Sequence, residues 1–163
     1  LTDMLVVGPG EASFLAAALL GHSFSVLTIT ASVIASTKKQ VRNVGVGEKL
    51  ASVRVVETPV LDLARDREAT LGKLVAEGQQ AVDGDGADTL VLGCMTMGFL
   101  GVAEELSARL GVPVVNPSRW CLKMAEALVG AELRHSKRAY MTPPKLAMGL
   151  VERKLDLLVA HSD

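Results

Sequence analysis

The stretch LVLGCMTMG, residues 90–98, places a cysteine directly after an apolar run and between two glycines. A short, wholly apolar run of this kind predicts a strand buried on both faces, which is typical of parallel sheets covered by helices. Open α/β sheets bind ligands at the carboxyl ends of their strands. Cys94, one of two cysteines in the chain, therefore stands where a functional group of such a fold is expected.

The composition indicates a globular chain and excludes several classes of partner. Of its 163 residues, 49% are hydrophobic and 3% aromatic, and the net charge is −1. Because lysines and arginines are scattered, neither nucleic acid nor a membrane surface is expected as a partner. No apolar run approaches the roughly 20 residues that span a bilayer. With no signal-peptide pattern and no disulfide framework, we expect a cytoplasmic protein.

Strand and helix patterns alternate along the chain. Apolar, β-branched runs predict strands, and apolar residues spaced three and four apart predict helices. The predicted strands are 4–7, 24–30, 52–56, 89–92 and 113–115, and the predicted helices are 11–20, 32–44, 66–82, 99–110 and 117–128. This order predicts a doubly wound α/β fold whose four-stranded parallel sheet lies within residues 24–116.

A repeat relates the beginning of the chain to a segment near residue 115. The turn Val6-Val7-Gly8-Pro9 precedes an apolar helix, and so does the turn Val114-Val115-Asn116-Pro117. The two prolines are 108 positions apart, and the glycines that close the helices, Gly21 and Gly130, are 109 apart. Such self-similarity indicates equivalent parts of two pseudo-symmetric halves.

The repeat predicts the domain organisation. We interpret residues 1–23 as the end of one α/β half, residues 24–130 as a second half that carries Cys94, and residues 131–163 as a C-terminal basic loop and helix. The counterpart of Cys94 would fall before Leu1. We therefore expect the first half, with its own cysteine, to be incomplete in this chain.

Residues 85–129 resemble the second cysteine region of the aspartate/glutamate/hydantoin racemase superfamily, most closely its hydantoin racemase branch. Supporting segments occur in the family's order: FSVLTIT at 24–30, VLDL at 60–63 and HSKRAY at 135–140. The resemblance runs from about residue 4 to residue 144. It implies two similar α/β halves facing each other across a cleft, each offering one cysteine, and a cofactor-independent proton transfer at a carbon next to a carbonyl.

The resemblance implies that Cys94 is catalytic. Inversion of a stereocentre through a planar carbanion requires a base on one face and an acid on the other. A thiol suits both roles, because its ordinary pKa is about 8.5 and helix N-termini favour the thiolate. The competing interpretation is that Cys94 is a small buried hydrophobe. Cys121, in phase with Met124 and Leu128 of the predicted helix, is interpreted as a core residue.

Candidate substrate-binding residues lie at strand ends and at strand-to-helix turns. Backbone N–H groups after Cys94 are placed to face an anion or a developing enolate, and both turns of the repeat should face one cleft if a two-fold axis relates the halves. The candidates are Met95, Thr96, Thr30, Gly8, Glu11 and Asn116. Helix capping explains the turn residues about equally well, and β-branched strand filling explains Thr30.

The residues after Cys94 also bear on the substrate. In the amino-acid racemase branches a Thr and then a His commonly follow this cysteine, whereas here the sequence is Met95-Thr96-Met97. The difference favours a neutral, cyclic or bulkier substrate, such as a 5-substituted hydantoin. His22, His135 and His161 lack the spacing of metal ligands, so no metal site is expected. The resemblance implies that no other cofactor is needed.

Two C-terminal segments and two other functions remain open. The basic segment 134–144 either covers the cleft or is a solvated tail, and the amphipathic segment 146–160 is interpreted as a packing or oligomer element of a homo-oligomer. One alternative is a sister decarboxylase or isomerase that uses a single cysteine. The other is a non-enzymatic module that binds small anions at its glycine turns. For a racemase, we expect the isolated chain to have little or no activity.

Overall fold

The computed structural model describes residues 4–149 of the chain. Two compact units divide the chain: Val7–Met124, and Leu1–Val6 together with Ala125–Asp163. The sheet, its covering helices and every candidate site residue belong to the unit Val7–Met124. In the described part of the chain, no helix is both long enough and apolar enough to cross a membrane.

Helices and strands alternate in the described residues. The helices are α1 Pro9–Leu20, α2 Ile34–Asn43, α3 Arg67–Asp83, α4 Met95–Phe99, α5 Ala103–Leu110, α6 Pro117–Gly130 and α7 Pro144–Ala147. The strands are β1 Phe24–Thr28, β2 Leu50–Val55, β3 Thr89–Leu92 and β4 Val114–Val115. Short 3-10 turns occur at Ala31–Val33, Gly47–Lys49 and Val60–Asp62.

The four strands form one sheet in the order β2-β1-β3-β4, and all of their pairings are parallel. Leu27 of β1 pairs with Leu92 of β3, and Val91 of β3 pairs with Val115 of β4. The carboxyl ends of the strands therefore lie along one edge of the sheet, with Cys94 two residues beyond the end of β3. The predicted four-stranded parallel α/β fold is confirmed.

Helices cover both faces of the sheet, and alternate residues of β3 enter two separate hydrophobic clusters. Leu90 and Leu92 pack with α3 and α5, and Val91 packs with α1 and α2 on the other face. A strand that is apolar throughout is stable in this position because both of its faces are removed from water. Cys94 packs against the cluster on the α3 and α5 face.

The strand predicted over 4–7 is not formed, since residues 5–8 have no regular structure. A strand needs a neighbour for its backbone hydrogen bonds, and none of the four strands pairs with this segment. Instead, the backbone nitrogen and carbonyl oxygen of Val6 each lie 3.0 Å from Nε2 of His135. The apolar pattern alone therefore misidentified this segment.

Two helix boundaries also differ from the sequence prediction. The helix predicted over 99–110 begins only at Ala103, because Gly101 has a φ of +64°, outside the right-handed helical region, and Phe99 instead ends the separate short helix α4. The helix predicted to open at a Ser32 cap begins at Ile34, and the Ser32 hydroxyl lies 3.2 Å from that of Thr30 instead. Most of the amphipathic segment 146–160 lies outside the described residues.

Candidate active site

Cys94 connects the buried strand β3 to the short helix α4. Its backbone is extended, with φ −133° and ψ 129°, and it is the N-cap residue of α4, which begins at Met95. The side chain is half-buried. A half-buried thiol at the carboxyl end of a parallel strand combines contact with the core and access to a ligand, so the site is built around Cys94.

The two residues after Cys94 form the first turn of α4. Met95 is 38% exposed, and Thr96 is half-buried. The carbonyl of Cys94 accepts a hydrogen bond from the Gly98 N–H at 3.3 Å, which closes this turn. The first N–H groups of a helix have no acceptor within the helix. These groups are the donors nearest to Cys94 along the chain.

Asn116 joins the segment after β3 to the segment after β4. Its Nδ2 donates to the carbonyl of Gly98 at 2.9 Å, and its Oδ1 accepts from the N–H groups of Ser118 and Arg119. Both ends of this amide are therefore engaged by the protein. Asn116 caps α6 and fixes the end of α4. Its geometry is therefore that of a residue that positions the Cys94 loop, the segment between β3 and the end of α4.

Gly98 makes this close approach of α4 and α6 possible. A Cβ at Gly98 would lie 2.6 Å from Oγ of Ser118 and 2.8 Å from Oδ1 of Asn116. Both distances are shorter than van der Waals contact. A residue without a side chain is therefore required here, and the second glycine of the stretch 90–98 acts through packing.

The remaining candidates lie in exposed turns. Gly8 is the N-cap of α1, and its carbonyl accepts from the Ala12 N–H at 3.0 Å. Glu11, in the first turn of α1, is exposed. Thr30, just past β1, is exposed and pairs with Ser32 as described above. Glu11 and Thr30 are thus accessible to a ligand, whereas Gly8 has the capping role that competed with ligand binding.

A pocket of about 190 Å³ lies where the carboxyl edge of the sheet meets α1, α2 and the turn before α6. Pro9 and Pro117, the equivalent prolines of the repeat, both line it. Gly93 and Met95, on either side of Cys94 in sequence, also line it, although Cys94 does not. The candidate turn residues Gly8, Glu11 and Asn116 do not line this pocket. Of the candidate substrate-binding residues, Met95 lines the pocket.

A contact between α1 and α6 relates equivalent positions of the repeat. Nε1 of Trp120 donates to the carbonyl of Ala12 at 2.9 Å, and these residues are 108 positions apart. That is also the separation of Pro9 and Pro117. When a patch contacts its own equivalent, the arrangement is that of a two-fold interface. The contact is thus the one expected if α1 and α6 are equivalent helices crossing near a pseudo-two-fold axis.

Cys121 has different surroundings from Cys94. It is half-buried, and its Sγ donates to the carbonyl of Val7 at 3.2 Å. The sequence interpretation of a core residue is therefore too simple, because its neighbour is a backbone oxygen rather than apolar side chains alone. The hydrogen bond ties α6 to the chain just before α1.

A second, larger cavity of about 660 Å³ lies along the free side of β4, between α1, α5 and the first turns of α6. Its lining is mostly apolar and includes Leu19, Leu20, Val114 and Trp120. Asn116, directly after β4, also lines it, but the other lining residues follow the side of the sheet rather than the carboxyl ends of the strands, where open α/β folds bind ligands. The smaller pocket is therefore the better candidate for a substrate site.

The described residues contain no group of three or more His, Cys, Asp or Glu side chains that could hold a metal ion. The titratable groups with shifted pKa values also lie apart from Cys94. Burial acts to raise the pKa of Asp88, but N–H donors from His22 and Ser23 outweigh it and leave the pKa below its ordinary value. Asp88 precedes β3, so this carboxylate stabilises the opposite edge of the sheet.

Comparison with known proteins identifies the family. The family described as Asp/Glu/Hydantoin racemase matches residues 1–125 of the chain. The chain belongs to this family.

Relatives of this racemase-family chain include hydantoin racemases of known sequence. It is 35% identical over 144 residues to one from Paenarthrobacter aurescens, covering 88% of this chain and 60% of that protein. It is 34% identical over 145 residues to one from Pseudomonas sp. (strain NS671), covering 88% and 57%. The chain therefore spans about 60% of the length of these relatives.

Solved structures of the same family share the fold. The allantoin racemase from Pseudomonas fluorescens superposes with a TM-score of 0.81 at 34% identity, covering 87% of this chain and 61% of that chain. The allantoin racemase from Klebsiella pneumoniae gives a TM-score of 0.76 at 28% identity, covering 81% and 53%. The resemblance deduced from the segments around Cys94 is confirmed.

Sequence reasoning missed the polar side chains that α2 contributes to the pocket of this racemase-family chain. Thr37 and Gln40 line it, as does Ser13 of α1. Their spacing of three positions places Thr37 and Gln40 on one helix face. That spacing was visible in the sequence, but nothing in it indicated that α2 would pack beside α1 at the carboxyl edge.

Proposed function

We propose that this chain carries one of the two opposed proton-transfer groups of a cofactor-independent racemase acting on hydantoin-type or amino-acid-derived substrates. The observation that carries the proposal is the half-buried Cys94 thiol at the carboxyl end of β3 in a member of this family. Relatives named as hydantoin and allantoin racemases support a cyclic substrate. The Met95-Thr96-Met97 sequence supports the same class.

The chemistry begins with removal of a proton from the ring carbon next to the carbonyl. The Cys94 thiolate forms an S–H bond as the C–H bond breaks, and the electron pair moves into the carbonyl to give an enolate. Negative charge develops on the carbonyl oxygen. N–H groups in the first turn of α4 are suitable donors for that oxygen, because they lack acceptors in the helix.

Inversion requires a second step on the other face of the planar intermediate. A proton must return to the carbon from the side opposite Cys94, with the electron pair returning from the oxygen. We propose that the second group belongs to the equivalent half implied by the repeat. The contact between Trp120 and Ala12 supports that arrangement, since it joins equivalent positions of the two crossing helices.

Exchange in deuterated water tests the proposal with each enantiomer of a 5-substituted hydantoin. With one thiol at the proposed site, the chain should catalyse deuterium incorporation into one enantiomer without inverting it. Cys94→Ser supplies the background of spontaneous exchange. Rapid inversion by a chain whose mass shows that it begins at Leu1 would disprove the need for a second group, and exchange no faster than in Cys94→Ser would disprove the role of Cys94.

A further inference from the structure

The larger cavity, of about 660 Å³ along the free side of β4, is lined mainly by apolar side chains, several of which face solvent. Leu19 and Leu20, at the end of α1, are 84% and 57% exposed, and the Trp120 ring also lines the cavity. A concave apolar surface that is open to solvent is typical of a binding site. The volume falls within the roughly 300–1,000 Å³ of pockets that hold a small molecule. The cavity is therefore large enough for a ligand of its own.

Three charged side chains among the lining residues determine which ligand is favoured. Arg119 of α6 forms an ion pair with Glu104 of α5, so these two charges compensate each other. Lys123, one helical turn after Arg119, adds a positive charge, and none of the other described residues that line the cavity is charged. Two positive charges and one negative charge give the lining a net charge of +1. A negative charge on the ligand complements this lining, whereas a positive charge does not.

The same charge argues against a second copy of the chain as the occupant. A two-fold interface places one patch against the same patch of the other copy. Two linings that each carry a net positive charge would then face each other, and like charges across an interface are unfavourable. A small anion with an apolar body satisfies both the apolar surface and the charge.

We propose that this cavity is a binding site for a small carboxylate with an apolar body, of the aryl- or alkylcarboxylate class. The apolar body packs against Leu19 and the Trp120 ring, and the carboxylate lies near Arg119 and Lys123. Cys94 does not line the cavity. Binding here is therefore separate from the proposed proton transfer.

Trp120 makes this binding measurable, because it is the only tryptophan of the sequence and it lines the cavity. The test titrates the chain at low salt with 4-phenylbutyrate, 4-phenylbutyramide and 4-phenylbutylamine, which have one shape and three charges, and follows tryptophan fluorescence. The carboxylate should bind about two- to fivefold more tightly than the amide, the factor that one exposed ion pair supplies. The amine should bind more weakly than the amide. Added salt should remove these differences, because it screens exposed charges.

Two substitutions at exposed lining positions separate the charge of the site from its volume. Lys123→Glu changes the net charge of the lining from +1 to −1, so the amine should become the tightest of the three probes. Ala108→Phe should weaken binding of all three probes about tenfold, because its ring fills part of the cavity and displaces apolar contact. Ala35→Phe, at an exposed position of α2 outside the cavity, is its matched control and should bind like the parent chain.

Equal affinities for the three probes at low salt would overturn the carboxylate site, as would an order that Lys123→Glu leaves unchanged. Binding that Ala108→Phe does not weaken would place the probes elsewhere. Self-association in sedimentation experiments that Ala108→Phe abolishes would assign the cavity to a second copy of the chain instead.

Cys94→Ser distinguishes this site from the proposed active site. The variant should lose deuterium exchange into hydantoins and bind the three probes like the parent chain. If it loses carboxylate binding as well, the probes occupy the Cys94 site and the proposal fails. Intact carboxylate binding without any Cys94-dependent exchange would reject the racemase proposal and retain this site.

Discussion

Cys94 and Cys121 are both half-buried, but their sulfur atoms have different surroundings. Cys94 stands at the junction of β3 and α4, beside backbone N–H groups that have no helical acceptor. The Cys121 thiol is already used as a donor to the Val7 carbonyl. The Cys94 thiol is therefore available for chemistry, whereas the Cys121 thiol is engaged in a hydrogen bond within the protein.

Substitution of each cysteine by serine should separate these roles. Cys94→Ser should lower thiol-dependent hydantoin exchange by about a hundredfold or more, because a hydroxyl is a poor base at neutral pH and general-base catalysis contributes about that factor. Its melting temperature should stay that of the parent chain. Cys121→Ser should retain exchange and change mainly the melting temperature. Equal losses of exchange with unchanged melting would contradict this division of roles.

Asp88 predicts how stability depends on pH. Because its folded pKa lies below the ordinary value, the unfolded state binds more protons in that range, so the carboxylate stabilises the fold above the unfolded pKa of about 4. That contribution should be lost as pH falls through the folded pKa. Urea unfolding from pH 6 to pH 2 should show a smaller loss in Asp88→Asn than in the parent chain.

A matched control for Asp88 is Asp83→Asn, which alters an exposed aspartate near the end of α3. This variant should keep the parent's acid dependence. If Asp88→Asn and the parent lose stability in parallel down to pH 2, the N–H groups of His22 and Ser23 do not stabilise the carboxylate.

At the scale of elements, the side-chain amide of Asn116 connects α4 to α6. Oδ1 of Asn116 caps α6, while Nδ2 holds the carbonyl of Gly98 at the end of α4. Helix capping stabilises α6, and the second bond positions the Cys94 loop. The two functions can be separated, because an aspartate retains the capping oxygen and lacks the amide donor.

Asn116→Ala should destabilise the chain by about 1 kcal/mol, since it removes the cap. Asn116→Asp should retain most of that stability but slow Cys94-dependent exchange, because the Gly98 carbonyl loses its donor and the loop is less fixed. Urea unfolding and exchange rates measure the two effects. Parent-like exchange in Asn116→Asp would show that the Gly98 bond does not position Cys94.

At the scale of the whole molecule, the hydrogen bond between Trp120 and Ala12 joins α1 to α6. Trp120 is the only tryptophan in the sequence, so intrinsic tryptophan fluorescence reports on this contact alone. If the crossing helices belong to the same cooperative unit as the sheet, fluorescence and far-ultraviolet circular dichroism should give one urea midpoint. A fluorescence transition at lower urea would show that the crossing opens independently.

Trp120→Phe should lower that common midpoint, because it removes one hydrogen bond worth about 1 kcal/mol and leaves the Ala12 carbonyl without its donor. Circular dichroism follows this variant, which lacks the fluorescent residue. Leu122→Met, at an exposed position of the same helix, is a control that should leave the midpoint unchanged. An unchanged midpoint in Trp120→Phe would argue against a stabilising contact between the helices.

The sequence predicted some features of the fold correctly and missed others. The runs at β1 and β3 predicted buried parallel strands, because burial on both faces demands residues that are apolar throughout. The same reasoning failed at residues 4–7, since an apolar run becomes a strand only beside another strand. It also began the helix before β4 at Phe99 rather than at Ala103, because a glycine such as Gly101 within a helical pattern does not reveal its φ.

The sequence by itself determined the order of strands and helices, the position of Cys94 after β3 and the resemblance that the family match confirmed. These are local properties, since hydrophobic period and residue order depend on neighbours along the chain. Only the tertiary structure decided that Asn116 is engaged by Gly98, that Thr37 and Gln40 line a pocket with both repeat prolines, and that Trp120 contacts Ala12. Such contacts depend on how the helices pack against the sheet and against one another. No residue pattern along the chain specifies how closely two helices approach.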